Sequence, residues 1–317
     1  MPCSDDRGTR STEEKNLKVV MIGIVTVTYN SAEVIDDFLS SIDGQKFTDW
    51  RLYVVDNASK DRTLEKVRPK AAADARIIII DKPDNLGVAV GNNLGTRAAL
   101  ADGCETVLLL NNDTVFPADL LSGMRAKLDE LDADMIIPKI LYFDPPTRLW
   151  ACGGAFRPSR AIANIHFGED EEDVGQYDTA RRVDYSPTCC MLIRKSVFDR
   201  IGLMDENFFV YADDADFCYR AKKAGIRLWY TPTPILFHKV SSLTGGFSDF
   251  AILHATYGRV YLIRKHLGLL AHFWLPIYQL MFLIRIVMPG YGWKRFRLLR
   301  QAYRRAMAQR ISQTNPS

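Results

Sequence analysis

Asp113 closes a short polar cluster, Asn111-Asn112-Asp113, behind the apolar run Val107-Leu108-Leu109-Leu110. The run reads as a buried strand, and strand ends are where open α/β sheets place their ligands. A carboxylate oxygen there is a hard ligand for Mg2+ or Mn2+, and the ion in turn can hold a diphosphate. The same three residues also suit a plain polar turn, because Asn and Asp favour turns. Three further polar clusters follow predicted strands: Thr28-Tyr29-Asn30, Asp56 to Asp61, and Asn85 to Asn93. Asp56 could accept hydrogen bonds from a base N–H or a ribose hydroxyl, and Gly87 and Gly91 would let backbone approach a ligand closely. The dinucleotide signature GxGxxG is absent. A fifth cluster, Asp213-Asp214-Ala215-Asp216, opens a predicted helix. Aspartates there suit capping and the helix dipole, and Asp216 could pair with Arg220 one turn on. Three acids in four residues also suit general-base work.

The elements that must position these groups are legible as periodicities. Val19 to Thr28, Leu52 to Val55, Ile77 to Ile80 and Val107 to Leu110 read as buried strands. Asn30 with Glu33 resembles a capping box opening a helix whose apolar stripe is Val34, Ile35, Phe38, Leu39 and Ile42. Helices are expected over Ser59 to Arg68, Ala89 to Leu100 and from Pro117 to Leu131, with a strand at Met135 to Ile140. This alternation argues for a parallel sheet covered by helices on both faces. Residues 144–184 carry Pro145-Pro146, Gly153-Gly154 and an acidic run from Glu169 to Asp173, and fit no single period. They are expected to be loops and short hairpin strands covering a site. Beyond them come a strand at Cys190 to Ile193, helices at Lys195 to Ile201 and Asp213 to Ala224, strands at Arg227 to Tyr230 and Ile235 to Phe237, and a helix from Asp249 to His266.

Of 317 residues, 47% are hydrophobic and 25% charged, enough for one large α/β domain or two modest ones. The six cysteines form no CxxC pair and read as free thiols of a reducing compartment. Residues 1–17 are polar, with no apolar h-region, and are expected to be a disordered lead-in rather than a secretory signal. Residues 267–317 are apolar, then basic: eight Lys or Arg lie between Arg285 and Ser317, with no acid among them. His272, Pro276, Gln279 and Arg285 interrupt the apolar part, which makes it marginal as a spanning helix. The expectation is a helical tail on the cytoplasmic membrane surface, peripheral or monotopic. A buried helix pair or a homo-oligomer contact is the other reading of that segment. No nucleic-acid partner is expected.

The blocks Thr-Tyr-Asn, Val-Asp-Asn-Ala-Ser-Lys-Asp, Asn-Leu-Gly-x-Ala-x-Gly-Asn-Asn, Leu-Asn-Asn-Asp and Ala-Asp-Asp-Ala-Asp-Phe-Cys-Tyr-Arg are specific in combination. From about Met21 to His266 the chain resembles the family 2 glycosyltransferases, inverting enzymes of GT-A fold, and most of all their rhamnosyltransferase-like and galactofuranosyltransferase-like branch. The resemblance implies a Rossmann-like, mostly parallel sheet over residues 18–266 with C-terminal helices. It implies a nucleotide-sugar donor, a glycan or lipid-linked glycan acceptor, and Mg2+ or Mn2+. It places Asp56 at the nucleobase, Thr28, Tyr29 and Asn30 along the nucleotide pocket, and Asp84, Asn85, Gly91 and Asn92 near the ribose and diphosphate. Asn111 and Asp113 stand where the family carries Asp-x-Asp, so Asp113 would carry most of the metal ligation, with His238 completing the site. Asp214 corresponds to the catalytic base and Asp213 to an acceptor contact. The segment holding Cys189-Cys190 corresponds to the floor of the acceptor site, which makes Cys190 an acceptor-lining residue. Lys239 and Ser242 could assist the leaving diphosphate. Trp150 and Trp229 could stack on a sugar or belong to the core, with core favoured for Trp229. A carbohydrate-binding or scaffold protein on a degenerate transferase fold is the alternative from another class. A nucleotidyltransferase ranks lower, because residues 26–31 hold no Gly, Lys or Arg to cradle phosphate.

Overall fold

The apolar strands assemble into one mixed, mostly parallel sheet in a computed structural model that describes residues 21–240, 248–286 and 292–312. The N-terminal half alternates strand and helix: β1 (Ile22–Thr28), α1 (Ile35–Asp43), β2 (Trp50–Asn57), α2 (Thr63–Ala73), β3 (Ile77–Lys82), α3 (Val88–Ala101) and β4 (Thr106–Leu110). There follow β5 (Thr114–Val115), α4 (Leu120–Glu130), β6 (Met135–Tyr142), β7 (Leu149–Ala151), the hairpin β8 (Gly154–Arg157) and β9 (Ala163–His166), and β10 (Arg181–Arg182). The chain continues through β11 (Cys190–Arg194), α5 (Lys195–Ile201), α6 (Asp213–Lys223) and β12 (Leu228–His238). Three helices complete it: α7 (Asp249–Leu267), α8 (Ala271–Ile286) and α9 (Gly292–Ala308). Strand order is β10-β12-β6-β11-β4-β1-β2-β3, with β5 on β12 and β7 on β6. The strands β4, β1, β2 and β3 are mutually parallel, and β11 runs antiparallel between β4 and β6. Parallel strands buried on both faces explain the unbroken apolar runs in β2 and β4.

Helix α3 lies directly on the sheet because small residues face it. A Cβ on Gly91 would stand 2.8 Å from the methyls of Val27, and one on Gly95 would overlap the Val25 side chain. Gly91 therefore serves helix-to-strand packing. The expected capping box is absent: α1 begins at Ile35, and Asn30, at φ 51°, turns its amide to the next loop. The two strands expected around Pro232 and Pro234 are one strand, β12, with a register shift between Thr231 and Ile235.

The C-terminal helices are tied back to the sheet domain. Asp216, wholly buried in α6, takes the Nε of Arg220 at 2.8 Å, Lys265 at 2.8 Å and His266 at 2.7 Å. Burial works against its charge, but the His266 hydrogen bond and the Arg220 and Lys265 charges prevail and hold the carboxyl below the usual carboxylate range. Lys265 also meets buried Asp205 at 2.7 Å. Helix α9 returns along α7, burying Leu299, Ala302 and Ala306, and Arg264 of α7 donates to the carbonyls of Ala306 and Gln309. The expected tail is thus a packed helical layer. The lead-in expected over residues 1–17 lies outside the described residues. Among the described residues no helix is long and apolar enough to cross a membrane.

Replacing Gly95 by Ala should lower unfolding stability by about 1–3 kcal/mol, the usual cost of forcing a methyl into a filled interface. A urea midpoint unchanged from the parent chain would contradict that packing role.

Candidate functional site

Register decides which polar groups meet. The β1–β2 pairing sets Thr28 opposite Asp56, and Thr28 Oγ1 donates to Asp56 Oδ1 at 2.7 Å. Ser59 adds its Oγ at 2.6 Å and its backbone N–H at 2.9 Å. Asp56 is completely buried, so it sits beneath the loop it was expected to offer to a nucleobase, with most of its acceptor capacity used. Asn30 is knitted into the same loop: its N–H donates to Ser59 Oγ at 2.9 Å, and its Oδ1 accepts from the Lys60 N–H at 2.8 Å. Tyr29 stands exposed beside them.

The loop into α3 is held by its own geometry. Asn85 Oδ1 accepts from the Gly87 N–H at 3.0 Å, and Asn57 Nδ2 donates to Gly87 O at 3.0 Å. Gly87 has φ 85°, and a Cβ there would strike the carbonyl of Phe209. The Val88 N–H donates to that carbonyl at 2.7 Å, which joins this loop to the one that precedes Asp213. Asp84 is exposed. Asn92, expected near the ribose and diphosphate, is buried, with Nδ2 3.7 Å from Met204 Sδ. Asn93 does the same work beside it, donating to Met204 O at 2.9 Å. Spacing on a helix shows which residues share a face but not what that face meets.

Asn111, Asn112 and Asp113 have three different jobs. Asn111 is exposed at its side chain, and its N–H donates to Cys189 O at 2.9 Å. Asn112 Nδ2 donates to Val27 O at 2.5 Å and bolts the loop to β1. Asp113 meets His238: Oδ1 and Nε2 are 3.1 Å apart although 125 residues separate them. The two-residue strand β5 makes this contact, because it pairs Thr114 with His238, and the Lys239 N–H donates to Asp113 O at 2.8 Å. Both side chains are nearly buried, and His238 Nδ1 has no partner among the described residues. The Trp150 ring stands edge-on to the imidazole, 4.3 Å between centroids, so the structure places it against His238. Trp229 packs against the core.

A carboxylate and an imidazole at this spacing suit one divalent ion. Neighbouring oxygen and nitrogen ligands about 2.1 Å from an octahedral ion lie roughly 3.0 Å apart. No cluster of three or more His, Cys, Asp or Glu side chains that could hold a metal occurs among the described residues. Asp113 and His238 are the two side chains of that kind that meet here, and Mg2+ sites commonly leave positions for substrate oxygens. Cys189 lies close by: burial pushes its thiol up and the nearby Asp113 charge pushes it further. Cys190 is wholly buried in the core opposite Leu110, so it lines no surface for an acceptor. Lys239 pairs with Asp37 of α1, its Nζ over the Phe143 ring. Ser242 lies outside the described residues.

The three acids of α6 have separate fates. Asp216 is consumed by the ion cluster. Asp213 is buried, and burial with the Asp214 charge beside it pushes its carboxyl up. Burial also raises Asp214, but less is left unopposed: Tyr185 OH donates to its Oδ2 at 2.8 Å and the Ala215 N–H to its Oδ1 at 2.6 Å. Two adjacent carboxyls, one buried and one half-buried, do not both ionise easily, and the one with more donors keeps the charge. The helix N-terminus assists. Tyr211 and Ala212 enter α6 with φ 65° and 64°, an uncommon left-handed pair. Tyr185 carries no sequence signal, since it stands at the edge of an irregular stretch with no motif. The segment it begins joins the two halves of the site: Tyr185 holds Asp214 and Cys189 holds Asn111.

A family model described as Glycosyl transferase family 2 matches residues 23–202. The chain is 29% identical over 214 residues to the low-salt glycan biosynthesis hexosyltransferase Agl10 of Haloferax volcanii, covering 65% of this chain. It spans 63% of that relative's length, a little under two thirds. It is 23% identical over 254 residues to the dTDP-rhamnosyl transferase RfbF of Shigella flexneri, covering 80% of this chain and 81% of that one. The crystal structure of GalNAc-T7 with UDP, GalNAc and Mn2+ superposes with a TM-score of 0.65 at 10% identity, over 93% of this chain and 57% of that one, and shows a shared GT-A fold. With more than half its length matched, and the expected polar loops gathered at the strand ends, the chain belongs to glycosyl transferase family 2.

Proposed function

We propose that this chain is an inverting glycosyltransferase that uses a divalent metal, moving a sugar from a nucleoside-diphosphate donor to a glycan hydroxyl. The observation that carries the reading is the Asp113–His238 contact, joined through Asn111 and the 185–189 segment to Asp214. Asp113 and His238 would hold Mg2+ or Mn2+, which supplies charge neutralisation for the departing diphosphate. Family membership and the Mn2+ present in the superposed GalNAc-T7 structure support that choice of ion.

Asp214 takes the proton from the acceptor O–H as that oxygen forms its bond to the anomeric carbon, and the diphosphate leaves with the electron pair of the broken bond. Attack from the side opposite the leaving group inverts the anomeric centre. Asp213, the member of the pair that burial and its neighbour favour as the acid, donates a hydrogen bond to the acceptor. Asp214→Asn should lower kcat by about 10²–10⁴-fold with a panel of nucleotide sugars, while the KM for the donor stays close to that of the parent chain. Because burial raises the Asp214 carboxyl, kcat/KM should fall on the acid side at a pH above the ordinary carboxylate value of about 3.9. Full turnover by the Asn variant would sink the base assignment.

The acceptor is proposed to be a glycan carried on lipid at the cytoplasmic face of the membrane. The support is the C-terminal layer: Leu269, Leu270 and Phe273 are 87%, 62% and 62% exposed, and basic α9 follows on the chain. Exposed apolar side chains near clustered cations suit an anionic leaflet. The buried free thiols of Cys104, Cys152, Cys189, Cys190 and Cys218 agree with a reducing compartment. The double variant Leu269→Glu, Phe273→Glu should release the full chain from vesicles containing phosphatidylglycerol, with turnover on a water-soluble acceptor unchanged. Equal vesicle binding by both proteins would remove the membrane reading.

A further inference from the structure

Asp214 has a partner whose position the fold fixes tightly. Tyr185 lies just before β11 and is 2% exposed. Its ring is held edge-on by Phe156 of β8, at 5.7 Å between centroids and 65° between planes, and by His166 of β9, at 5.2 Å and 72°. Its N–H donates to Gly154 O at 3.2 Å, and a Cβ on Gly154 would come within 2.9 Å of the ring. These contacts leave the phenol one direction, toward Asp214 Oδ2 at 2.8 Å. The hairpin β8–β9 thus acts on the carboxylate through one tyrosine.

We propose that Tyr185 is the positioning residue of the catalytic base: its hydroxyl fixes the Asp214 carboxylate and holds it ionised, under clamping by the β8–β9 hairpin. This rests on the reading of Asp214 as the base. The phenol can fill the role throughout an assay, because burial first and the Asp214 charge second push its own ionisation far up. The other groups facing Asp214 are few. Asp213 and, beyond it, Asp216 and the Cys218 thiol stand on α6, and His166 faces it from β9. Asp213 and Cys218 oppose the Asp214 charge, and Asp216 is neutralised in its ion cluster. His166 is the one cationic-capable side chain among them, and its Nδ1 is buried with no partner among the described residues. Tyr185 is therefore the neutral donor that favours the charged base at every working pH.

The experiment compares pH profiles of kcat/KM for the full chain, for Tyr185→Phe and for the chain carrying 3-fluorotyrosine at position 185. Loss of the donor should move the acid limb upward by about one pH unit, with rates converging at high pH where Asp214 is ionised in all three. The fluorinated phenol, a stronger donor, should move the limb the other way. A purely structural role predicts no opposed pair of shifts. The same pair of shifts in a His166→Gln background assigns them to the phenol and not to the imidazole; shifts that vanish there overturn the proposal. Superimposable profiles, or shifts of one sign, also overturn it, and circular dichroism establishes that each variant is folded. If Asp214→Asn is inactive while these profiles coincide, the positioning role alone fails. If Asp214→Asn stays active, the base reading fails and takes this proposal with it.

Discussion

The pairing of β5 with the end of β12 is the constraint on which the site depends. Two residues of strand are very little structure, yet they set Thr114 against His238 and so bring Asp113 within 3.1 Å of the imidazole. Neither side chain could reach the other from its own local segment. The long parallel register of β12 on β6 holds one side of this contact, and the Asn112 bond to Val27 O holds the other. The fold keeps a carboxylate and an imidazole together in a nearly buried place, with His238 Nδ1 unpartnered among the described residues, and a bound cation would favour the ionised carboxylate.

The proposed base is organised by separate means. Helix α6 carries three acids, and the fold sorts them by giving each a different environment. Asp216 is neutralised by Arg220, Lys265 and His266, which also anchors α7. Asp213 is buried against its neighbour, and Asp214 receives Tyr185. The C-terminal helices are thereby part of the support of α6: removing Asp216 would take the carboxylate from Arg220 and His266, leave Lys265 with Asp205 alone, and loosen the helix that presents Asp214. The segment from Tyr185 to Cys189 passes between the two centres, with Tyr185 bonded to Asp214 at one end and Cys189 to Asn111 at the other.

Much of the fold is legible in the sequence because buried parallel strands leave unbroken apolar runs, each followed by its polar loop. The pattern is weaker where residues serve packing. Gly91 and Asn92 fall in a motif of ligand-binding appearance, but their side of α3 faces Val27 and Met204. Cys190 belongs to the right segment on the wrong face of its strand, since a strand alternates sides at every residue. Asp56 is recognisable at its strand end, while its enclosure by Thr28 and Ser59 follows from register and a loop conformation that spacing does not encode. Asn30 has the spacing of a helix cap but forms a bridge between loops. Asp113 with His238 is legible through resemblance to a family, since no local pattern links residues 125 apart. Tyr185 has no pattern at all; its contact with Asp214 and the hairpin packed over it are visible only in the structure.

The central claim is that Asp113 and His238 act as one metal site serving the donor's diphosphate. A double-mutant cycle on Mn2+-dependent binding of nucleoside diphosphates, by calorimetry with Asp113→Ala, His238→Ala and the pair, tests it most directly. Each single variant is predicted to lose most of the Mn2+-dependent affinity and the double variant little more, a strong non-additivity between coupled ligands. Additive effects, or diphosphate binding that is indifferent to Mn2+ in the parent chain, would contradict it.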